Sequence, residues 1–135
     1  MAARDYQVEI SATSATLLSI EKVLDLPKLR EDAIKLEEAA GVPNLWDDPE
    51  NAQKVTSRLS RVQNVIKRLV ELRQRVEDLP ILLDLATSEG DAAAQADVDK
   101  ELDAVKKTVS ELEVQTLLNG EYLSLIHISE PTRPY

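Results

Sequence analysis

The sequence has no cysteine and no phenylalanine, and only three glycines and one histidine among its 135 residues. Without cysteine there is no disulfide, no thiol nucleophile and no thiolate metal site. So few glycines argue against a turn-rich β architecture. A core without phenylalanine must be built from Leu, Ile, Val and Ala, which suits helix-on-helix packing. The only histidine, His127, follows residue 122, so the first 122 residues lack the side chain that most often performs general acid-base catalysis.

Other functional classes are disfavoured by charge and by missing motifs. The chain has 25 acidic and 16 basic residues and a net charge of −9, so direct DNA binding through charge attraction is not expected. No apolar run approaches a membrane span and the first residues lack a signal peptide, so a cytoplasmic protein is predicted. No Gly-rich phosphate loop, Gly-x-Ser-x-Gly elbow or Glu-x-x-His pair occurs, so neither a cofactor nor an enzymatic activity is predicted.

Apolar residues recur at steps of three and four through most of the chain, which predicts helices. We expect an all-α antiparallel helical bundle with a long, coiled-coil-like helical hairpin. The predicted helices span residues 4–24, 27–40, 49–79 (or on to about 87) and 91–118. The predicted core includes Leu29, Leu36, Val55, Leu59, Val62, Ile66, Leu69, Leu102, Val105, Val109 and Leu112.

Glycines and prolines agree with these boundaries. Pro27 suits a first helical turn, and Gly41, Gly90 and Gly120 fall at predicted helix ends. Pro80 is expected to end or kink the third helix.

The stretch "NLWDDPENAQ" marks the start of that helix. Either Asp48 is the N-cap with proline at the first helical position, or Asp47 and Glu50 form a capping box. Trp46, the only tryptophan, is interpreted as a packing anchor for the entering loop. The sharper alternative is a binding hot spot for a partner.

Charge differs between the two longest helices. Residues 49–79 have seven basic and four acidic side chains, whereas residues 91–118 have three lysines and seven acids. The basic residues include a stripe at a seven-residue spacing, which we call the basic stripe: Lys54, Arg61, Arg68 and Arg75. It either complements the acidic helix as an antiparallel neighbour, or is solvated, or docks an acidic partner or RNA.

Three stretches resemble a known family. "LEEAAGVPNLWDDPENAQKVTSRLSRVQ", "VEDLPILLDLA" and "ELEVQTLLNGEY" are similar, in order and spacing, to the N-terminal helical domain of the class I translation release factors, specifically bacterial peptide chain release factor 2. The resemblance covers most of residues 1–122, and "LWDDPENAQKV" is its most specific part.

The resemblance implies a role in translation termination. Such factors read UGA and UAA through a Ser-Pro-Phe tripeptide and release the peptide with a Gly-Gly-Gln loop. Neither motif occurs in this sequence, so no residue here is assigned to codon reading or catalysis. What the resemblance implies for residues 1–122 is a domain near the base of the large-subunit stalk of the ribosome, in contact with the accessory release-factor GTPase. A free-standing helical protein-protein interaction module is the alternative.

The last residues differ from the rest. "LSLIHISEPTRPY", residues 123–135, holds the only histidine and two of the six prolines. The string resembles the in-frame translation of a sequencing adapter, so we expect it to be a non-native tail.

Overall fold

The computed structural model describes residues 4–119, which form four α-helices. Helix α1 spans Tyr6–Leu24, α2 Leu26–Ala40, α3 Pro49–Glu89 and α4 Ala92–Asn119, with a 3-10 turn at Leu45–Asp47 before α3. Residues 4–119 contain no β-strand, so the all-α prediction is confirmed. The predictions made for Gly120 and for residues 123–135 lie outside the described residues.

Helices α3 and α4 form the predicted antiparallel hairpin. Arg75 of α3 is paired with Glu101 of α4, whereas Val65, earlier in α3, lines the same small gap as Leu112, later in α4. The turn between the helices depends on Gly90, which has a φ of 63° and donates its backbone N–H to the Ala86 carbonyl at 3.1 Å. Glycine adopts this left-handed conformation at a helix C-terminus at a lower energy than residues that have a Cβ atom.

Helices α1 and α2 complete the bundle by packing along the hairpin. Helix α1 contacts both α3 and α4, and α2 contacts the first half of α3. On that first half, Gln63 donates a hydrogen bond to Glu37 of α2 at 3.1 Å. The long helix α3, about 60 Å at 1.5 Å per residue, therefore serves as the scaffold against which the other helices pack.

A single residue, Asp25, ends α1 and begins α2. Its φ of 58° places it in the left-handed region, where asparagine and aspartate are the most tolerant non-glycine residues. Its backbone N–H bonds the Lys22 carbonyl at 3.2 Å, and its carboxylate accepts from the Lys28 N–H at 3.3 Å. Pro27 lies in the first turn of α2, as predicted.

Of the two predicted ends of the third helix, the end at residue 79 is wrong and the continuation to about residue 87 is confirmed, since α3 runs through Pro80 to Glu89. Pro80 is exposed, while Leu79 before it and Ala86 after it are buried. Proline removes one helical hydrogen bond. The helix continues with little apolar burial beyond Pro80, since Ile81, Leu82 and Leu85 are exposed and only Ala86 is buried among residues 81–89. It ends instead at the left-handed Gly90.

The start of α3 decides between the two capping alternatives. The Asp48 carboxylate accepts a hydrogen bond from the Asn51 N–H at 3.2 Å, and Pro49 is the first helical residue. The N-cap is therefore Asp48, with proline in the first turn.

The core confirms most of the predicted list and corrects part of it. Leu29, Val62 and Leu69 are buried, as are four residues of α4: Leu102, Val105, Val109 and Leu112. The remaining four predicted residues are only half-buried: Leu36, Val55, Leu59 and Ile66.

The phase of the α3 face explains this correction. The buried residues of α3 are Ala52, Val62, Val65, Leu69, Leu72, Val76, Leu79 and Ala86. From Val62 to Leu79 they alternate steps of three and four, and this alternation runs through Val65 instead of Ile66. An isoleucine one position further along points about 100° away around the helix, which places it at the edge of the seam.

Candidate docking surfaces

The basic stripe is not one uniform surface. Arg75 turns towards α4, where its Nε and Nη2 donate to the two carboxylate oxygens of Glu101 at 2.9 and 3.0 Å. The hydrogen bonds raise the pKa of Arg75 and lower that of Glu101. At Arg75 the stripe therefore joins two neighbouring helices of opposite charge, and this guanidinium is not available to another molecule.

The other three members of the basic stripe have different surroundings. Lys54 is exposed and lies 4.0 Å from the Glu50 carboxylate in the same helix. Arg61 is half-buried and has an interaction within the chain. Arg68 is exposed beside the gap between Leu24 and Leu112. Lys54 and Arg68 are thus the members that present charge to solvent.

Arg73, which interrupts the apolar pattern of α3 in the sequence, ties α3 to α1. Its Nη1 donates to the Ser14 hydroxyl at 2.8 Å, and its Nη2 donates to the Glu21 carboxylate at 2.9 Å. The arginine fork suits such paired acceptors. Nothing in the sequence pattern indicated this partner, because Ser14 and Glu21 are more than fifty residues away along the chain.

The start of α1 is held to α4 by a cluster of polar side chains. Glu9 accepts from Arg4 Nε at 2.6 Å and from Lys106 Nζ at 2.7 Å, and Arg4 also bonds Asp103. These bonds, that from Arg4 most of all, lower the pKa of Glu9 from 4.5 to about 2. Each of these groups has a role in joining the two helices, so their shifted pKa values do not point to catalysis.

Tyr6 extends the same cluster. Its hydroxyl donates to the Asp99 carboxylate and accepts from Gln95 Nε2, the latter at 2.9 Å. The hydrogen bond to Asp99 raises the pKa of the tyrosine. The guanidinium of Arg4 lies 5.9 Å from the centre of its ring, within reach of a cation–π interaction.

Trp46, which the sequence predicts as a packing anchor, is mostly exposed to solvent. Its side chain is 63% exposed, whereas the preceding Leu45 is 8% exposed. The buried contact at the entry to α3 is therefore made by Leu45. In the 3-10 turn that Leu45 begins, adjacent side chains point in different directions, so only one of the two neighbours can face the core.

A cleft of about 380 Å³ lies beside this turn. It lies between the end of α2 and the first turns of α3, and Val42, Leu45, Asp47 and Asp48 are among its lining residues. Val42 is 44% exposed. Exposed apolar side chains and carboxylates thus meet at one end of the bundle, at the connection between α2 and α3.

Two further observations limit the chemistry of the described region. Among residues 4–119, no three histidine, cysteine, aspartate or glutamate side chains are grouped closely enough to hold a metal ion. None of the helices in this part of the chain is long and apolar enough to cross a membrane.

Comparison with known proteins gives a consistent family assignment. The family model described as the PCRF domain matches residues 29–123. Peptide chain release factor 2 of Streptomyces avermitilis is 50% identical over 122 residues, which cover 90% of this chain and 33% of the relative. The same-named protein of Pseudarthrobacter chlorophenolicus is 49% identical over 122 residues, with 90% and 33% covered. The one from Mycobacterium sp. (strain KMS) is 50% identical over 121 residues, with 87% and 33% covered.

The chain spans about a third of the length of these relatives. No solved structure matches the chain. The resemblance to release factor 2 that the three sequence stretches carry is confirmed by these relatives. Since the family model covers more than half of its residues, the chain belongs to the PCRF domain family.

Proposed function

We propose that the chain is the N-terminal docking part of a peptide chain release factor that directs translation termination at UGA and UAA. The observation that carries the proposal is the 50% identity to release factor 2 over 122 residues. Neither a Ser-Pro-Phe nor a Gly-Gly-Gln sequence occurs among the 135 residues. The chain therefore contributes binding to the ribosome and not codon reading or peptide release.

The architecture supports a docking role. A helix of about 60 Å is braced along its length by three others, so side chains on its surface are held in fixed relative positions. Such preorganisation lowers the entropy cost of binding a large partner. The partners in this proposal are the ribosome at the base of the large-subunit stalk and the accessory release-factor GTPase, and the setting is the cytoplasm.

Within this role, Lys54 and Arg68 are the proposed docking residues of the basic stripe. Both are exposed, whereas the Arg75 guanidinium is taken up by Glu101. The Lys54 pair with Glu50 is exposed and 4.0 Å long, so contact with RNA phosphate or an acidic protein surface costs less at Lys54 than at Arg75.

Sedimentation with purified ribosomes tests the proposal. We expect the chain to pellet with ribosomes saturably, and the Lys54→Glu/Arg68→Glu double variant to bind about tenfold more weakly. Lys100→Glu is the matched control, because Lys100 is an exposed lysine of α4 outside the stripe. It should bind as the unchanged chain does.

Two results would count against the proposal. Failure of the unchanged chain to pellet with ribosomes would remove the docking function itself. Equal weakening by Lys100→Glu would remove only the assignment to Lys54 and Arg68, because binding would then depend on overall charge.

A further inference from the structure

We propose that the turn around Trp46 is a binding site for a cationic, amphipathic segment of another protein. This inference rests on the proposed docking function and deepens it by naming the chemistry of one partner. The site, which we call the Trp46 corner, consists of Val42 and Asp47, which line the cleft between α2 and α3, and of the exposed Trp46 and Glu50 beside them in the chain.

The apolar part of the Trp46 corner is exposed without serving the core. Leu45 already fills the buried position of this turn, so the 63% exposed Trp46 and the 44% exposed Val42 are not needed there. The tryptophan ring is large and mostly apolar, so its exposure leaves a large apolar area in contact with water. Tryptophan is also the residue type most enriched among side chains that dominate the affinity of protein interfaces.

The cleft of the Trp46 corner is lined by the carboxylates of Asp47 and Asp48 and by no basic side chain. Between Lys35 and Lys54 the sequence holds five acidic residues and no basic one. Lys35 lies 3.6 Å from Glu31 and Lys54 lies 4.0 Å from Glu50, so both flanking lysines have carboxylate neighbours within their own helices. The charge that this stretch presents at the cleft is therefore negative.

Not all of this negative charge is used by the fold. The Asp48 carboxylate caps α3 through the Asn51 N–H, and Glu37 accepts from Gln63. Asp47 is exposed at the cleft, and the exposed Glu50 lies 4.0 Å from Lys54 in a surface pocket that Arg58 and Arg61 also line. Exposed pairs of this kind are weak and readily replaced by a better partner.

Together these features select one class of occupant. Lysine or arginine side chains of a partner would pair with Asp47 and Glu50, and an arginine could also stack on the Trp46 ring. Apolar side chains of the same segment would cover Trp46 and enter the cleft beside Val42. A segment that alternates basic and apolar residues can both pair with the carboxylates and cover the apolar side chains. A charged surface without apolar residues could only do the first.

RNA is disfavoured at the Trp46 corner for the same reason. A phosphate backbone would be repelled by the local carboxylates, and no basic side chain occurs between Lys35 and Lys54 to neutralise it. The cleft of the Trp46 corner therefore differs from the basic stripe in the sign of the partner that it fits.

Fluorescence of the chain tests the inference directly, because Trp46 is its only tryptophan. The probe is a short amphipathic peptide of lysine and leucine, added to the 135-residue chain. We expect a saturable change in Trp46 emission that weakens as salt is raised. A peptide in which glutamate replaces lysine, and a single-stranded polyuridine RNA, should give no such change.

Variants locate the binding. With a labelled lysine–leucine peptide followed by anisotropy, Trp46→Ala and the Asp47→Asn/Glu50→Gln double variant should each bind about tenfold more weakly. The matched controls are Ile81→Ala and Asp84→Asn. Ile81 is 59% exposed and Asp84 is an exposed acid of the same helix, but Ile81 lies about 48 Å along α3 from Pro49. Both controls should bind as the unchanged chain does.

The inference is overturned if the two controls weaken binding as much as the corner variants, because binding would then follow general charge and hydrophobicity. Binding of polyuridine in place of the basic peptide would also overturn it. No ribosome is present in this experiment. Loss of ribosome sedimentation would therefore contradict the proposed function, whereas loss of peptide binding would contradict only the Trp46 corner.

Discussion

The guanidinium of Arg75 on α3 and the carboxylate of Glu101 on α4 form a two-bond pair, with N–O distances of 2.9 and 3.0 Å. The pair joins the basic and the acidic helix of the hairpin in antiparallel register. Because both side chains are partly exposed, we expect a modest contribution to stability. A double-mutant cycle with Arg75→Ala and Glu101→Ala should give a coupling energy of about 0–1 kcal/mol. A coupling of several kcal/mol in urea unfolding would show that charge, and not apolar burial, holds the hairpin together.

Apolar burial should dominate the stability of α3. Leu69 is 1% exposed in the seam, so Leu69→Ala should lower the free energy of unfolding by about 2–5 kcal/mol. Ile66→Ala should cost less, about 1 kcal/mol, because Ile66 lies at the edge. The neighbouring exposed Arg68→Ala is the control and should change stability by less than about 0.5 kcal/mol. A larger loss at Ile66 than at Leu69 in urea titrations would contradict the described phase of the helix.

Acid should weaken the attachment of α1 to α4 through Glu9. The pKa of Glu9 is lowered from 4.5 in the unfolded reference to about 2 in the folded chain. Its ionised form therefore stabilises the fold fully above pH 4.5, and this contribution is lost as the pH falls towards 2. The difference in unfolding free energy between the unchanged chain and Glu9→Gln should be largest near neutral pH and shrink as the pH falls from 4.5 to 2.

The control for this pH series is Glu38→Gln, an exposed glutamate of α2. It should change stability little at any of these pH values. A Glu9→Gln difference that stayed constant, or that grew on acidification, would show that the pairs with Arg4 and Lys106 do not stabilise the ionised carboxylate.

Pro80 should be a destabilising residue of α3. It lies exposed within a continuous helix, where proline is about 3 kcal/mol less favourable than alanine. Proline also lowers the conformational entropy of the unfolded chain, which stabilises the folded chain by about 0.4–1 kcal/mol. Pro80→Ala should therefore raise the unfolding free energy by about 2 kcal/mol, measured by urea unfolding, with the exposed Glu77→Ala as a control that changes it little. A loss of stability would show that proline is accommodated by a local geometry that alanine does not favour.

The sequence predicted the helices well because their signals are local. Apolar spacing and caps at Asp48 and Gly90 act within a few residues, so they can be read without the fold. The end of α1 at residue 24 was predicted correctly. The left-handed residue that follows it is an aspartate, Asp25, where a glycine is more usual. Of the two predicted ends of the third helix, the end at residue 79 was wrong because one interior proline removes one hydrogen bond and did not stop the helix before its cap at Gly90.

The surfaces were harder to predict, because they depend on which side chains the other helices cover. Val65 and Ile66 are both apolar and adjacent, and only the positions of α1 and α4 decide which is buried. The same holds for Leu45 and Trp46. Arg75 belongs to a seven-residue stripe in the sequence, but its partner Glu101 lies on another helix. Neither Trp46 exposure nor the Glu9 cluster has a signal in the sequence pattern alone.

The central claim is that this chain binds the ribosome without reading the codon or releasing the peptide. It is tested most directly by a peptide-release assay on purified termination complexes with UGA or UAA in the A site, using full-length release factor 2 as the positive control. We predict that the 135-residue chain alone releases no peptide above background, and that in excess it slows release by the full-length factor because both occupy the same docking site. Stop-codon-dependent release by the chain alone, or undiminished release by the full-length factor in its presence, would contradict the account.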